Sequence, residues 1–133
     1  MFKTLSVIGL GYIGLPTATM FAARKIHVHG VDVNQKIVDT INAGEVHIIE
    51  PDLDIAVRTS VEQGFLKASC DAKPTDAFII AVPTPFKDGF EPDLSYIKTA
   101  AEKIAPILSK GNLVILESTS PVGSTEQLAA WLP

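Results

Sequence analysis

The chain has 133 residues, 47% of them hydrophobic and 20% charged, with a formal net charge of -4. This is the length of one domain with a real core, and it is too apolar for a disordered segment. Scattered lysines and arginines exclude a nucleic-acid surface, no apolar run approaches the ~18 residues of a membrane span, and the N-terminus runs into a strand rather than a signal peptide.

Leu5-Ser6-Val7-Ile8 is the short apolar run that a strand buried on both faces requires. It leads into Gly9-Leu10-Gly11-Tyr12-Ile13-Gly14, three glycines at G-x-G-x-x-G spacing. Gly9 allows a sharp turn, Gly11 lets a pyrophosphate approach the backbone, and Gly14 lets the next helix sit close to the first strand. That helix, small and apolar through Ala23, offers free N–H groups and a positive dipole end to phosphates. A second strand from Ile26 ends in Asp32, 18 positions beyond Gly14. A dinucleotide-binding unit places there the carboxylate that accepts bonds from the adenosine ribose. It repels a 2′-phosphate, so the expected cofactor is NAD rather than NADP. Taken alone, Asp32 also suits a turn or a helix cap.

Asn34 is placed to cap a helix with Ile37, Val38 and Ile41 on its apolar face and Gly44 as its stop. A loop from Glu45 to Pro51 precedes a second helix, with Leu53, Ala56, Val57 and Val61 on one face and an end at Gly64. Phe65 to Ala68 reads as an edge strand, since Lys67 argues against central burial. Asp76 to Val82 reads as a fourth strand buried on both faces. It stops at Pro83-Thr84-Pro85, a stiff loop at the carboxyl edge where open α/β sheets bind ligands. Thr84 suits a ligand contact there and equally a bond to its own backbone. Lys87 to Glu91 is a polar connection. Asp93 caps a helix through Leu94, Ile97, Ala101 and Ile104 that ends or kinks at Pro106. After Lys110-Gly111-Asn112, the strand Leu113 to Leu116 delivers Glu117 to Thr125 to the same edge. Ser124 with Gln127 predicts a capping box for a last helix.

This alternation predicts an α/β fold, a Rossmann-type doubly wound parallel sheet in three layers with strand order 3-2-1-4-5. A sixth strand is expected after residue 133. Residues 1–133 therefore read as one domain from the N-terminal part of a longer enzyme, with one side of strand 5 uncovered. Hydride transfer also needs an acid, a base or a nucleophile at the substrate. Cys70 follows the edge strand and reads as an inert thiol of a reducing compartment. His27, His29 and His47 have no partner at metal-ligand spacing, so no metal is expected. Glu117 ends strand 5 near the expected nicotinamide and suits either a catalytic role or a cap or loop ion pair.

Gly9 to Pro16, Val82-Pro83-Thr84-Pro85 and Ser118 to Thr125 together resemble the nucleotide-sugar 6-dehydrogenases, the UDP-glucose/UDP-mannose dehydrogenase family, over essentially the whole chain. Glu45 to Leu53 and Glu117-Ser118-Thr119 look most like its UDP-N-acetyl-D-mannosamine branch. Close UDP-glucose relatives tend to have a glycine after the Glu-Pro and a lysine before the Ser-Thr. The resemblance implies a four-electron oxidation of the C6 alcohol of a UDP-sugar, with two NAD⁺ reduced through a cysteine-linked intermediate. It further implies a cytoplasmic homodimer serving bacterial surface polysaccharide synthesis. Carried over by motif, Tyr12 and Ile13 hold the cofactor phosphates through their backbone, and Asp32 holds the adenosine ribose. Thr84 and Thr125 line the cofactor, and Thr119 lies near the reacting centre. The family's nucleophilic cysteine and its lysine lie in later segments, so this chain alone is expected to bind NAD without turnover. The alternatives are a sibling acting on UDP-glucose or another UDP-sugar, and a stand-alone NAD(H)-binding module.

Overall fold

The computed structural model describes residues 2–85, 93–117 and 123–133. The connection containing Lys87, and Ser118 to Val122, lie outside the described residues. Strands β1 (Thr4–Ile8), β2 (His27–Val31), β3 (Leu66–Ser69), β4 (Ala77–Ile80) and β5 (Leu113–Leu116) form one parallel sheet in the order β3-β2-β1-β4-β5. The sequence predicts this order. Around the sheet run α1 (Gly14–Ala23), α2 (Gln35–Asn42), α3 (Leu53–Glu62), α4 (Ser95–Ile104) and α5 (Ser124–Trp131), with a 3₁₀ turn at Ala105–Ile107 that takes up Pro106.

Both faces of the central strands are apolar, so both must be covered. Leu5, Val7 and Ile79 point into a core with Leu15 and Ala18 of α1, Ile41 of α2 and Val57 of α3. Ile8, Phe78 and Ile80 enter a second core with Ile97, Ala101 and Ile104 of α4 and Leu128 of α5. The path β1-β2-β3 moves outward in one direction and β4-β5 in the other. Right-handed crossovers therefore place the two helix sets on opposite faces and open a crevice between β1 and β4 at the carboxyl edge. The two sheet edges are unlike the centre. Lys67 of β3 is exposed, and Leu113 and Ile115 of β5 remain 44% and 41% exposed while Phe78 and Ile80 of β4 are at 0%.

Local signals at helix ends hold at α2, are displaced by one residue at α4 and fail at α5. The Asn34 side chain accepts the Lys36 N–H at 3.0 Å, and Gly44 closes α2 with φ +79°. Asp93, expected as the cap of α4, lies one residue before the N-cap Leu94, which makes no side-chain cap bond; the Asp93 Oδ1 accepts the Ser95 N–H at 2.9 Å. The predicted Ser124–Gln127 capping box is absent. Gly123, with φ +93°, is the cap and makes no side-chain bond. Starting on this glycine draws Ser124 into the helix, where its hydroxyl is buried without a hydrogen-bond partner among the described residues.

The amino edge of the sheet is closed on itself. Asp76 Oδ2 accepts the N–H groups of Lys3 at 2.7 Å and Thr4 at 3.0 Å, while Thr4 Oγ1 accepts the Asp76 N–H at 2.9 Å. Next to it, the buried Ser6 hydroxyl pairs with Thr75 Oγ1 at 2.8 Å. These bonds, that from Lys3 foremost, hold the Asp76 carboxyl below the ordinary aspartate range.

Candidate functional site

A cavity of about 740 Å³ opens at the carboxyl edge. Its floor is the loop Gly9 to Ile13. One wall is Asp32, Val33, Asn34 and Ile37, and the other is Ala81 to Pro83 after β4 with Ser95, Tyr96 and Thr99 of α4. The three glycines of the loop meet different constraints. Gly9 has φ +100°, and a Cβ there would lie 2.6 Å from the Ala81 carbonyl oxygen. A Cβ on Gly14 would stand 1.7 Å from the Gly9 carbonyl oxygen. Its close contact is thus with the loop itself and with Ala81, not with β1 as the spacing suggests. Gly11 is the opposite case, since a Cβ there would meet nothing within 4 Å. Gly11 is spare for the fold and leaves its backbone open to the cavity.

Beyond the loop, α1 begins at Gly14 with Ile13 as a cap that makes no side-chain bond. The Leu15 N–H bonds Gly11 O at 3.1 Å and the Thr17 N–H bonds Ile13 O at 3.3 Å. The N–H groups of Tyr12, Ile13 and Gly14 form no backbone hydrogen bond among the described residues. Uncapped N–H groups at a helix N-terminus are an anion site, with the dipole aligned to favour negative charge.

Asp32 stands just past β2, half-buried. Its Oδ2 accepts the Leu10 N–H at 3.1 Å and its Oδ1 accepts the Asn34 N–H at 2.9 Å. The carboxylate therefore fastens the glycine loop to the turn after β2, and the turn role that the residue alone suggests is also filled. A carboxylate carries about four lone-pair sites, so these two bonds leave acceptors for ribose hydroxyls. A further residue escaped the sequence reading. A Cβ on Gly30 of β2 would stand 2.9 Å from Leu10 Cδ1, so any side chain there would have to displace the Leu10 tip. Leu10, at 0% exposure, plugs the loop into the gap at Gly30. A glycine inside a strand is the signal that would have found it.

The other candidates are less gathered. Thr84 is half-buried and Thr125 is exposed as the second residue of α5; neither lines the cavity, and Thr119 lies outside the described residues. The α4 wall of Ser95, Tyr96 and Thr99 has no motif to announce it. Glu117 accepts a hydrogen bond from Thr17 Oγ1 at 2.7 Å. Cys70 lies apart, its Sγ donating to Gln35 Oε1 at 3.2 Å. His29 Nε2 contacts Ser69 Oγ at 2.9 Å and the Asp71 carbonyl at 3.2 Å. Burial holds its pKa below the ordinary imidazole value. Among the described residues the cavity lining contains Asp32, Asn34, hydroxyls and apolar groups, but no cysteine, histidine or lysine. It is built to hold a ligand.

Known proteins share this arrangement. A family model described as the UDP-glucose/GDP-mannose dehydrogenase family, NAD binding domain, matches residues 3–132. The UDP-N-acetyl-D-mannosamine dehydrogenase of Escherichia coli K12 is 65% identical over 98% of this chain and 31% of its own length. The NDP-N-acetyl-D-galactosaminuronic acid dehydrogenase of Ralstonia nicotianae is 64% identical over the same shares. The solved structure of a UDP-N-acetyl-mannosamine dehydrogenase from Staphylococcus aureus superimposes with a TM-score of 0.91 at 41% identity, over 96% of this chain and 31% of that one. The chain thus spans about a third of the length of the relatives it matches.

Proposed function

The chain belongs to the UDP-glucose/GDP-mannose dehydrogenase family, matching its NAD-binding domain, and from that we propose that it holds NAD for the oxidation of a nucleotide-linked sugar. One observation carries the binding mode: the uncapped N–H groups of the Gly11–Gly14 turn and the Asp32 carboxylate meet at one cavity. On this reading the pyrophosphate lies over Gly11 and takes the N–H groups of Tyr12 and Ile13. The adenosine ribose bonds Asp32, and its base enters the slot between Val33 and α4. Bound NAD supplies a hydride acceptor. This chain's part is to orient it, with Thr84 and Thr125 assigned by motif to lining the cofactor and Thr119 to the neighbourhood of the reacting centre.

The substrate class is a nucleoside-diphosphate N-acetylhexosamine, since all three relatives named above carry an N-acetylated hexosamine or its uronic acid in their names. At 65% and 64% identity the first two do not separate the mannosamine from the galactosamine series. The UDP-mannosamine derivative is favoured by the Glu50-Pro51-Asp52 and Glu117-Ser118-Thr119 motifs. A cytoplasmic homodimer rests on the same resemblance. The nucleophile and base are proposed to lie in the two thirds of such an enzyme that this chain does not cover.

Calorimetry with NADH and NADPH tests the cofactor assignment. NADH should bind the chain and NADPH much more weakly, because the Asp32 carboxylate repels the 2′-phosphate. Equal affinity for both defeats it. Incubation with NAD⁺ and UDP-N-acetylmannosamine should yield no NADH from this chain alone; turnover lost on Cys70→Ser would make Cys70 catalytic instead.

A further inference from the structure

One contact joins parts of the chain far apart in sequence at the carboxyl edge and has no role in the binding mode above. Thr17 Oγ1, in the first turn of α1, donates to Glu117 Oε1 at 2.7 Å across a separation of 100 residues. The Glu117 backbone is held too, its N–H donating to Ile80 O at 2.8 Å and extending the β4–β5 ladder by one step. Root and tip of the side chain are thus both fixed, yet the residue is exposed. Among the described residues its side-chain partner is a neutral hydroxyl and not a cation.

Sheet order sets what that charge faces. Asp32 follows β2, Glu117 follows β5, and β2 and β5 lie on opposite sides of β1. A dinucleotide whose adenosine ribose is on Asp32 and whose pyrophosphate lies over the N-terminus of α1 must extend its other half toward β4 and β5. That half is the nicotinamide. Its oxidised ring is a cation and its reduced ring is neutral. We propose that Glu117, oriented by Thr17, is an electrostatic positioning residue that favours the oxidised over the reduced cofactor. A mere structural tie would need only an acceptor for the Thr17 hydroxyl, which an amide supplies as well. A charge fixed at that end is what distinguishes the two redox states. The proposal rests on the NAD reading above.

The test is the ratio of dissociation constants for NAD⁺ and NADH, measured by calorimetry on the unmodified protein, Glu117→Gln and Thr17→Val. Glu117→Gln keeps the acceptor and removes the charge. It should weaken NAD⁺ about three- to tenfold, the size of one screened charge pair near a surface, while NADH changes less than about twofold. Thr17→Val should shift the ratio in the same direction by less, and the Glu117 effect should shrink as salt is raised. Equal weakening of both forms means a structural tie and overturns the proposal. An unchanged ratio overturns it too. If the unmodified protein binds neither form, the cofactor reading falls and this inference with it.

Discussion

The two ends of the sheet each hold an aspartate that accepts two backbone N–H groups, and they use it in opposite ways. At the amino edge Asp76 binds Lys3 and Thr4, Thr4 answers with its hydroxyl, and Ser6 and Thr75 satisfy each other. Side-chain hydrogen bonding there is turned inward onto the chain. At the carboxyl edge Asp32 binds Leu10 and Asn34, but among the described residues the turn beside it leaves three N–H groups without backbone partners and opens on a cavity of about 740 Å³. The same chemistry closes one edge for stability and leaves the other ready for a ligand. Parallel topology allows this division, because every strand enters at one edge and exits at the other.

The strongest way to break the comparison lies within the glycine loop. Gly14→Val should cost more than about 4 kcal/mol or prevent folding, since even its Cβ would overlap the Gly9 carbonyl; a near-normal melting temperature would disprove that packing. Gly11→Val should leave the melting temperature within a few degrees, because its Cβ meets no atom within 4 Å, and should abolish NADH binding in calorimetry. A variant that still binds NADH would show that the loop does not hold the phosphates.

The paired aspartates sharpen the contrast. Asp32→Ala should weaken NADH by about 10- to 150-fold, the worth of roughly 1.5–3 kcal/mol for hydrogen bonds to a charged group. Asp76→Asn should leave NADH affinity unchanged and lower the urea midpoint at pH 7. Its folded-state pKa lies below the ordinary 3.8, so the carboxylate's contribution is present above that pH and is lost as pH falls below it. The gap between Asp76→Asn and the unmodified chain should therefore narrow at pH 3 in the same urea assay. A gap that does not narrow would mean that the charge on Asp76 is not what the two N–H groups require.

Much of this molecule is written in local patterns. Runs such as Phe78 to Ile80 are apolar on both faces, which demands a sheet covered twice. Gly44 and Asn34 mark helix ends by backbone freedom and by a side-chain acceptor, both properties of single residues. The spacing of Gly9, Gly11, Gly14 and Asp32 points to the edge where the cavity opens, because a strand, a tight turn and a helix start fix those distances along the chain.

What the tertiary structure alone decided involves partners distant in sequence. The tip of Leu10 occupies the space that a side chain on Gly30, on the next strand, would enter. Gly14 is required by the Gly9 carbonyl rather than by the strand to which spacing points. The wall of Ser95, Tyr96 and Thr99 depends on how α4 lies over β4, and the Thr17–Glu117 bond on how α1 meets the end of β5. Ser124 shows the converse: its capping pattern is sound locally, but the left-handed Gly123 starts the helix and packing buries the hydroxyl. Periodicity and capping are short-range and can be read from neighbours. Close approach between elements depends on the whole fold, so only the assembled sheet and its helices determine it.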